Sequence, residues 1–243
     1  MSIPTPSTES VRARVDALSW YHTLELAPGV ETPGMFDLRP FVDRYELPAD
    51  LTGMRALDVG TFDGFWAFEL ERRGAEVTAL DVETSADYDW PPRLRPTTPE
   101  PRGETFRLGH EILGSRAERV GMPVYEATPE RLGTFDLVFC GSILIHLRDP
   151  MLALERLAAL CRGRLVLCEE YSRRLEWLPV AGAEFRGESP WMTWWRPSTR
   201  TWRSMIRCAG FEDVDRRRRF SMRFTGQRSG VPHVVFHARG SAG

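Results

Sequence analysis

"ALDVGTFDGFWAF", Ala56 to Phe68, runs a short apolar segment into a glycine turn and then into a helix-like stretch, with a phenylalanine standing between its two glycines. An apolar run of this length closed by glycine and followed by helical periodicity predicts the first strand, turn and helix of an open α/β sheet. Ligands of such sheets sit beyond the carboxyl ends of the strands, most often at the turn where strand order reverses, so the residues of this turn limit what it can hold. A dinucleotide fingerprint needs G-x-G-x-x-G, which lets the backbone approach a pyrophosphate; here Phe62 and Phe65 occupy the places of the second and third glycines. A P-loop needs a lysine after its last glycine, and this chain has no lysine at all. What remains is Asp58 two residues before Gly60, a second glycine at 64, and Asp81 closing the next strand, "ALDV", 17 residues further on. A strand-end carboxylate can accept both hydroxyls of a ribose. The pattern therefore implies a nucleoside without a pyrophosphate.

Outward from this unit the alternation continues. "MRALDVG" reads as strand, "FWAFELERRG" as a helix closed by Gly74, and "EVTALDV" as strand; Pro91 to Pro101 is loop, and a helix is expected around Phe106 to Val120. The third strand is expected at "MPVYEA", closing on Glu126 and Ala127, followed by "FDLVFCGS" strand, "PMLALERLAALC" helix and "RLVLCEEY" strand ending at Glu169 and Glu170. Short apolar strands alternating with amphipathic helices predict right-handed crossovers and a mostly parallel sheet. Beyond residue 170 the character changes: Trp177, Trp191, Trp194, Trp195 and Trp202 crowd one region before a helix ending at Gly210. "RRRRFSMRF" and "PHVVFHARG" then alternate like strands and predict an antiparallel hairpin edge. Ahead of the sheet, an amphipathic segment from about Thr8 to Leu18 leads through Pro28-Gly29 and Pro33-Gly34 turns to a helix-like stretch near Pro40 to Tyr45.

The chain has 243 residues, 42% hydrophobic and 27% charged, which is ordinary globular usage and enough for one large α/β domain. A net charge of −2 supplies no global field to recruit nucleic acid or anionic membrane. All 32 basic side chains are arginine, which excludes lysine Schiff-base chemistry. Cys140, Cys161, Cys168 and Cys208 show no C-x-x-C or metal-type spacing and read as reduced thiols; no metal is expected. "MSIPTPSTES" lacks the basic start and apolar core of a secretory signal, and no run approaches a membrane span, so a cytoplasmic protein is expected.

Asp58, Gly60 and Gly64 resemble the first motif of the class I S-adenosylmethionine-dependent methyltransferases, commonly D-x-G-x-G-x-G, with Phe62 in place of the middle glycine. The resemblance continues through Asp81, "FDLVFCGSILIHLRDP" and the helix-Gly-Phe unit "MIRCAGF", and covers roughly Leu51 to Phe211. It implies a Rossmann-like, doubly wound, mostly parallel seven-stranded sheet and S-adenosylmethionine as cofactor. The residues it places at that cofactor are Asp58, Gly60, Thr61, Phe62, Gly64, Asp81, Val82, Glu126, Ala127, Cys140 and Gly141. "GTFDGFWAFELERRGA", "FDLVFCGSILIHLRDPMLALERL" and "WMTWWRPSTRTWRSMIRCAGF" look like the bacterial group related to the tRNA wobble-uridine carboxymethyltransferase, whose cofactor is carboxylated. That enzyme places a tyrosine before the histidine of the segment after the fourth strand, where it helps hold the extra carboxylate; here Ile145 precedes His146 and offers no hydrogen bond. The lysine ahead of its first motif and its long N-terminal extension have no counterpart here. The resemblance thus implies a sibling that transfers plain methyl, with residues 1–50 as a helical lid segment, residues 51–243 as the cofactor-binding domain, and an insertion at about 171–200 covering the acceptor.

Methyl transfer from a sulfonium is an in-line displacement, and a general base is needed only for a protonated acceptor. His146, Glu169, Tyr21 and His22 are the candidate catalytic residues. A histidine that shapes its own loop, and an N-terminal arm packed on the sheet, are the alternatives for His146 and for the Tyr21-His22 pair. Trp191, Trp194 and Trp195 are candidates for the wall of an apolar acceptor pocket, with core packing as the alternative. The Arg216 to Arg219 run reads as a solvated edge that blocks aggregation, or as a phosphate track. The expected function is methylation of an O, N or C nucleophile on a small molecule, such as a secondary metabolite, by a monomer or homodimer. Wobble-uridine modification of tRNA, and a cofactor-binding protein without activity, are the other two readings.

Overall fold

The computed structural model describes residues 8–189 and 191–240; residues 1–7 of the "MSIPTPSTES" stretch lie outside it. In chain order the elements are α1 (Thr8–Asp16), β1 (Glu25–Ala27), β2 (Val30–Glu31), β3 (Arg55–Val59), α2 (Phe65–Arg72), β4 (Glu76–Asp81), α3 (Glu104–Leu113), β5 (Glu118–Gly121), α4 (Pro129–Leu132), β6 (Phe135–Gly141), α5 (Pro150–Leu160), β7 (Cys161–Glu170), β8 (Ala183–Phe185), β9 (Trp195–Pro197), α6 (Thr199–Cys208), β10 (Glu212–Arg223) and β11 (Gly230–Arg239).

Seven strands form one sheet in the order β10-β11-β7-β6-β3-β4-β5. From β5 to β7 all neighbours are parallel, while β11 lies antiparallel to β7 and β10 antiparallel to β11. This is the doubly wound sheet with a C-terminal hairpin edge expected from the sequence. Strand order reverses between β3 and β6, which opens a crevice beyond their carboxyl ends. Strands covered on both faces read as unbroken apolar runs, and all four residues from Ala56 to Val59 are buried, Asp58 among them.

Two cores flank the sheet. One gathers Val11, Val15 and Trp20 of the N-terminal segment with Trp66, Phe106, Phe139 and Val235. The other packs α5 and α6 through Leu157 and Trp202 against Leu57, Val138 and Phe236. The N-terminal segment is tied further to the sheet edge, because Phe36 bridges both His22 and Phe224. Among the described residues no helix is long and apolar enough to cross a membrane.

The third strand differs from its expected position. It is β5, Glu118–Gly121, and "MPVYEA" is instead a loop with a 3-10 turn at Val124–Glu126. Gly114, left-handed at φ 61°, closes α3 at Leu113 and frees the following residues for the strand. β5 is an edge strand without a fully buried residue, so "ERVG" carries no apolar signal. Pro123 then lacks the N–H that would extend the ladder. Glu126 and Ala127 therefore do not close a strand; Gly121 does.

Candidate active site

The turn after β3 answers the question its sequence raises. Phe62, standing where the motif commonly has its middle glycine, adopts φ 49°, the left-handed conformation that a glycine adopts without cost. Conformations of this kind in a bulky residue cost about 1–3 kcal/mol and persist only where the surroundings enforce them. The Phe62 N–H donates to Asp81 Oδ2 at 2.7 Å, and the ring sits 5.0 Å from the Tyr21 ring. Gly60, at φ 75°, donates its N–H to the Leu80 carbonyl, and a Cβ there would lie 2.9 Å from Ile143 Cδ1. At Gly64 a Cβ would meet the Phe68 ring at 2.6 Å. Both glycines are required by close approach as well as by φ.

Asp81 lies at the end of β4, accepting from Phe62 N–H and, through Oδ1, from Val82 N–H at 2.8 Å. Burial raises its carboxyl above the usual range, while those two N–H groups and the Arg119 and Arg102 guanidinium groups oppose the rise. A cavity of about 340 Å³ opens over it, lined by Phe62, Tyr88, Arg102 and Thr105 and roofed by Leu18 to Tyr21 and Met35. Asp58 lies beneath the turn, its carboxyl pushed up to about 7 by burial, a rise that the Thr61 hydroxyl and the Ala67 N–H oppose.

Asp63, wholly buried, is the functional residue that the sequence reading passed over. Its Oδ2 accepts from the N–H groups of Tyr21 at 2.6 Å and His22 at 2.7 Å, and its Oδ1 accepts from Thr105 Oγ1 at 2.6 Å. One carboxylate thus binds the N-terminal segment, the glycine turn and α3 together. The only signal in the sequence was an acid inside a turn; its partners lie 41 or 42 residues away on either side. Tyr21, its hydroxyl pushed up to about 12 by burial, and His22, neutral because burial pushes its imidazole down to about 3, are delivered to the turn by this carboxylate.

At the far side of the crevice Glu169 is fully buried, and Oε1 accepts from Ile143 N–H at 3.0 Å and Leu144 N–H at 2.8 Å. Oε2 has no partner, and burial pushes the carboxyl up to about 8. Glu169 thereby shapes the loop that carries Ile145 and His146. His146 Nδ1 lies 3.2 Å from the Met192 carbonyl, and burial lowers its pKa, which leaves the ring neutral. Cys140 is buried in the core, so only its backbone can reach the crevice; Gly141 follows, where a Cβ would lie 3.1 Å from Cys168 Cβ. Glu170 pairs instead with Arg196 at 2.5 Å.

The three tryptophans divide. Trp194 is buried, and its indole N–H donates to the Asp89 carbonyl at 2.6 Å; Trp195 donates to the Arg148 carbonyl at 3.1 Å; Trp191 is 67% exposed. Asp89 Oδ2 also accepts from Tyr125 Oη at 2.5 Å and Arg148 N–H at 2.7 Å. Asp89 therefore joins the loops after β4, β5 and β6 to the insertion. Glu126 is exposed and paired with Arg131 at 2.7 Å, and Ala127 is buried in the core. Of the arginine run, Arg217 and Arg218 pair with Glu46 and Arg219 with Glu176, so its charges are largely matched within the fold. Among the described residues no cluster of His, Cys, Asp or Glu could hold a metal ion.

Known proteins share this architecture. The N-terminal domain of EvdMO1, solved in the presence of SAH and D-fucose, superposes with a TM-score of 0.66 at 18% identity over 97% of this chain and 98% of that one. Magnesium protoporphyrin IX methyltransferase from Synechocystis PCC 6803, solved with SAM, gives 0.51 at 18% identity over 79% and 72%. At these identities the likeness is one of fold. Among curated proteins, a ubiquinone biosynthesis O-methyltransferase of Methylocella silvestris is 30% identical over 68% of this chain and 56% of its own length. The magnesium-protoporphyrin O-methyltransferase of Rhodobacter capsulatus is 35% identical over 43% and 38%. The chain spans about half the length of the curated relatives it matches. A family model described as a methyltransferase domain matches residues 36–216, most of the chain and all five parallel strands, and the chain belongs to that family.

Proposed function

We propose that this chain transfers the methyl group of S-adenosylmethionine to an oxygen, nitrogen or carbon nucleophile of a small molecule. The observation that carries the reading is the glycine turn itself: a left-handed Phe62 whose N–H binds Asp81, beside a cavity that is closed over by the N-terminal segment. Gly60 and Gly64 leave room for close backbone approach, and Asp81 retains lone pairs for ribose hydroxyls. The cofactor supplies a methyl bonded to a cationic sulfur. The curated relatives are named as O-methyltransferases, which supports an oxygen acceptor.

Residues 1–50 act as the lid and residues 171–200 as the acceptor cover; Asp63 holds the first at Tyr21 and His22, and Asp89 holds the second at Trp194. His146 is the acceptor-side base: its ring is neutral at physiological pH, and Nδ1 is held by the Met192 carbonyl. Glu169 positions that loop, and Tyr21 and His22 line the lid. Ile145, an apolar and buried neighbour of His146, supports the plain cofactor over a carboxylated one and sets this chain apart from wobble-uridine chemistry. Calorimetric titration with S-adenosylmethionine and its carboxylated relative, followed by methyl-transfer assays on hydroxylated aromatic acceptors, tests the reading. Binding of the plain cofactor with turnover is expected; a chain that binds neither nucleoside overturns it.

A further inference from the structure

Arg102 and Asp81 face one cavity without a direct ion pair among the described residues. Arg102 lines the cavity with Asp81 and Tyr88, its guanidinium carbon stands 5.0 Å over the Tyr88 ring, and its Nε is buried without a hydrogen-bond partner. Arg119, the other guanidinium near Asp81, also has a buried Nε without a partner, but its terminal nitrogens are engaged: they donate to Glu83 Oε1 at 2.8 Å and to the Val82 carbonyl at 2.7 Å. A buried guanidinium donor left unpaired is costly. The cost is relieved when a ligand oxygen enters the cavity, because a guanidinium carries five donors and no acceptor. The Tyr88 ring beneath the guanidinium carbon adds a cation–π attraction that helps hold the side chain at the cavity.

We propose that Arg102, its guanidinium carbon over the Tyr88 ring, is a binding residue of the nucleoside site, donating to the ribose end of the ligand beside Asp81. The inference rests on reading this cavity as a nucleoside site. The groups facing Asp81 are the Phe62 and Val82 N–H groups, the cations Arg102 and Arg119, the Tyr88 phenol and the acids Asp58 and Asp63. Removal of one of the two cations leaves Asp81 to titrate at higher pH. Affinity for a hydroxyl-donating ligand then falls as pH drops, because the carboxylate is the stronger acceptor.

The test titrates S-adenosylhomocysteine and adenosine into the wild type, R102M and R102K at pH 6 and pH 8. R102M is expected to bind both ligands about tenfold more weakly at pH 8, the loss of one charge-assisted hydrogen bond. It is also expected to lose more affinity between pH 8 and pH 6 than the wild type does, and R102K is expected to restore the wild-type pH profile. Equal affinity of R102M and wild type overturns the inference, as does a loss seen with S-adenosylhomocysteine and absent with adenosine, which would put the contact at the amino-acid end. If the wild type binds neither ligand, the nucleoside reading itself fails. Should R102M melt below the assay temperature, R102Q, which keeps a donor and loses the charge, decides the matter through its pH profile.

Discussion

The glycine turn and the 171–200 insertion both adjoin the carboxyl ends of the parallel strands, yet they are built in different ways. The backbone of the turn is specified at short range, by Gly60 and Gly64 at positive φ with Phe62 forced to follow them, and a single buried carboxylate, Asp63, then ties it to Tyr21, His22 and Thr105. The insertion is specified at long range. Its indoles reach carbonyls in other loops, its Glu184 and Arg196 belong to a charge network with Glu170, and Trp177, Phe185 and Trp191 are 88%, 63% and 67% exposed. A rigid, locally written rim suits a ligand that stays the same. A rim assembled from distant contacts and carrying exposed aromatics suits a surface that differs with the acceptor.

The contrast is open to direct attack, most strongly at Asp63. Asp63→Ala leaves two backbone N–H groups and a threonine hydroxyl without their acceptor, at about 1–3 kcal/mol each for buried groups. A fall in Tm of about 10 °C and faster proteolysis ahead of residue 37 are expected; unchanged melting would show that the turn does not depend on the N-terminal segment. Gly60→Ala comes next. The positive φ and the approach to Ile143 Cδ1 together should cost about 1–3 kcal/mol and reduce cofactor affinity at least as much as stability. Adding Ile143→Ala should recover the steric part alone, a difference readable by calorimetry.

A smaller effect follows from the buried acids. Asp58 and Glu169 hold their protons to about 7 and about 8 when folded, against about 4 when unfolded. The folded chain therefore binds more protons between those limits, so this contribution to stability is full at low pH and is lost as pH rises through the folded values. Tm should fall between pH 5 and pH 9 by several degrees, and Glu169→Gln should flatten the slope; an unaltered slope would remove Glu169 from the account. The smallest effect belongs to Trp191→Ala, whose exposed ring should change stability by no more than about 0.5 kcal/mol while raising KM for the acceptor. A large loss of Tm there would make the insertion a second structural core and dissolve the contrast.

Much of the cofactor side was legible because its signals are local. "ALDVG" closes an apolar run with a glycine, Asp81 ends the next one, and a turn that needs positive φ announces itself by residue type. The third strand was misplaced for a physical reason: an edge strand packs little, so "ERVG" shows no apolar pattern, while the apolar residues of "MPVYEA" serve a loop that Pro123 keeps out of the ladder. The tryptophans were visible as a group, but which of them would spend its N–H on another loop was not.

The α/β alternation, the antiparallel edge, the glycine turn and the exclusion of dinucleotide and P-loop chemistry were all readable from residue order, because each rests on periodicity or backbone freedom within a few residues. It took the folded chain to show that Asp63 latches the N-terminal segment, that Asp89 gathers three loops and the insertion, and that Arg102 meets Asp81 and Tyr88 in one cavity. Those depend on hydrogen bonds and burial between residues tens of positions apart, and no local pattern of side chains encodes which distant donor a buried carboxylate will meet.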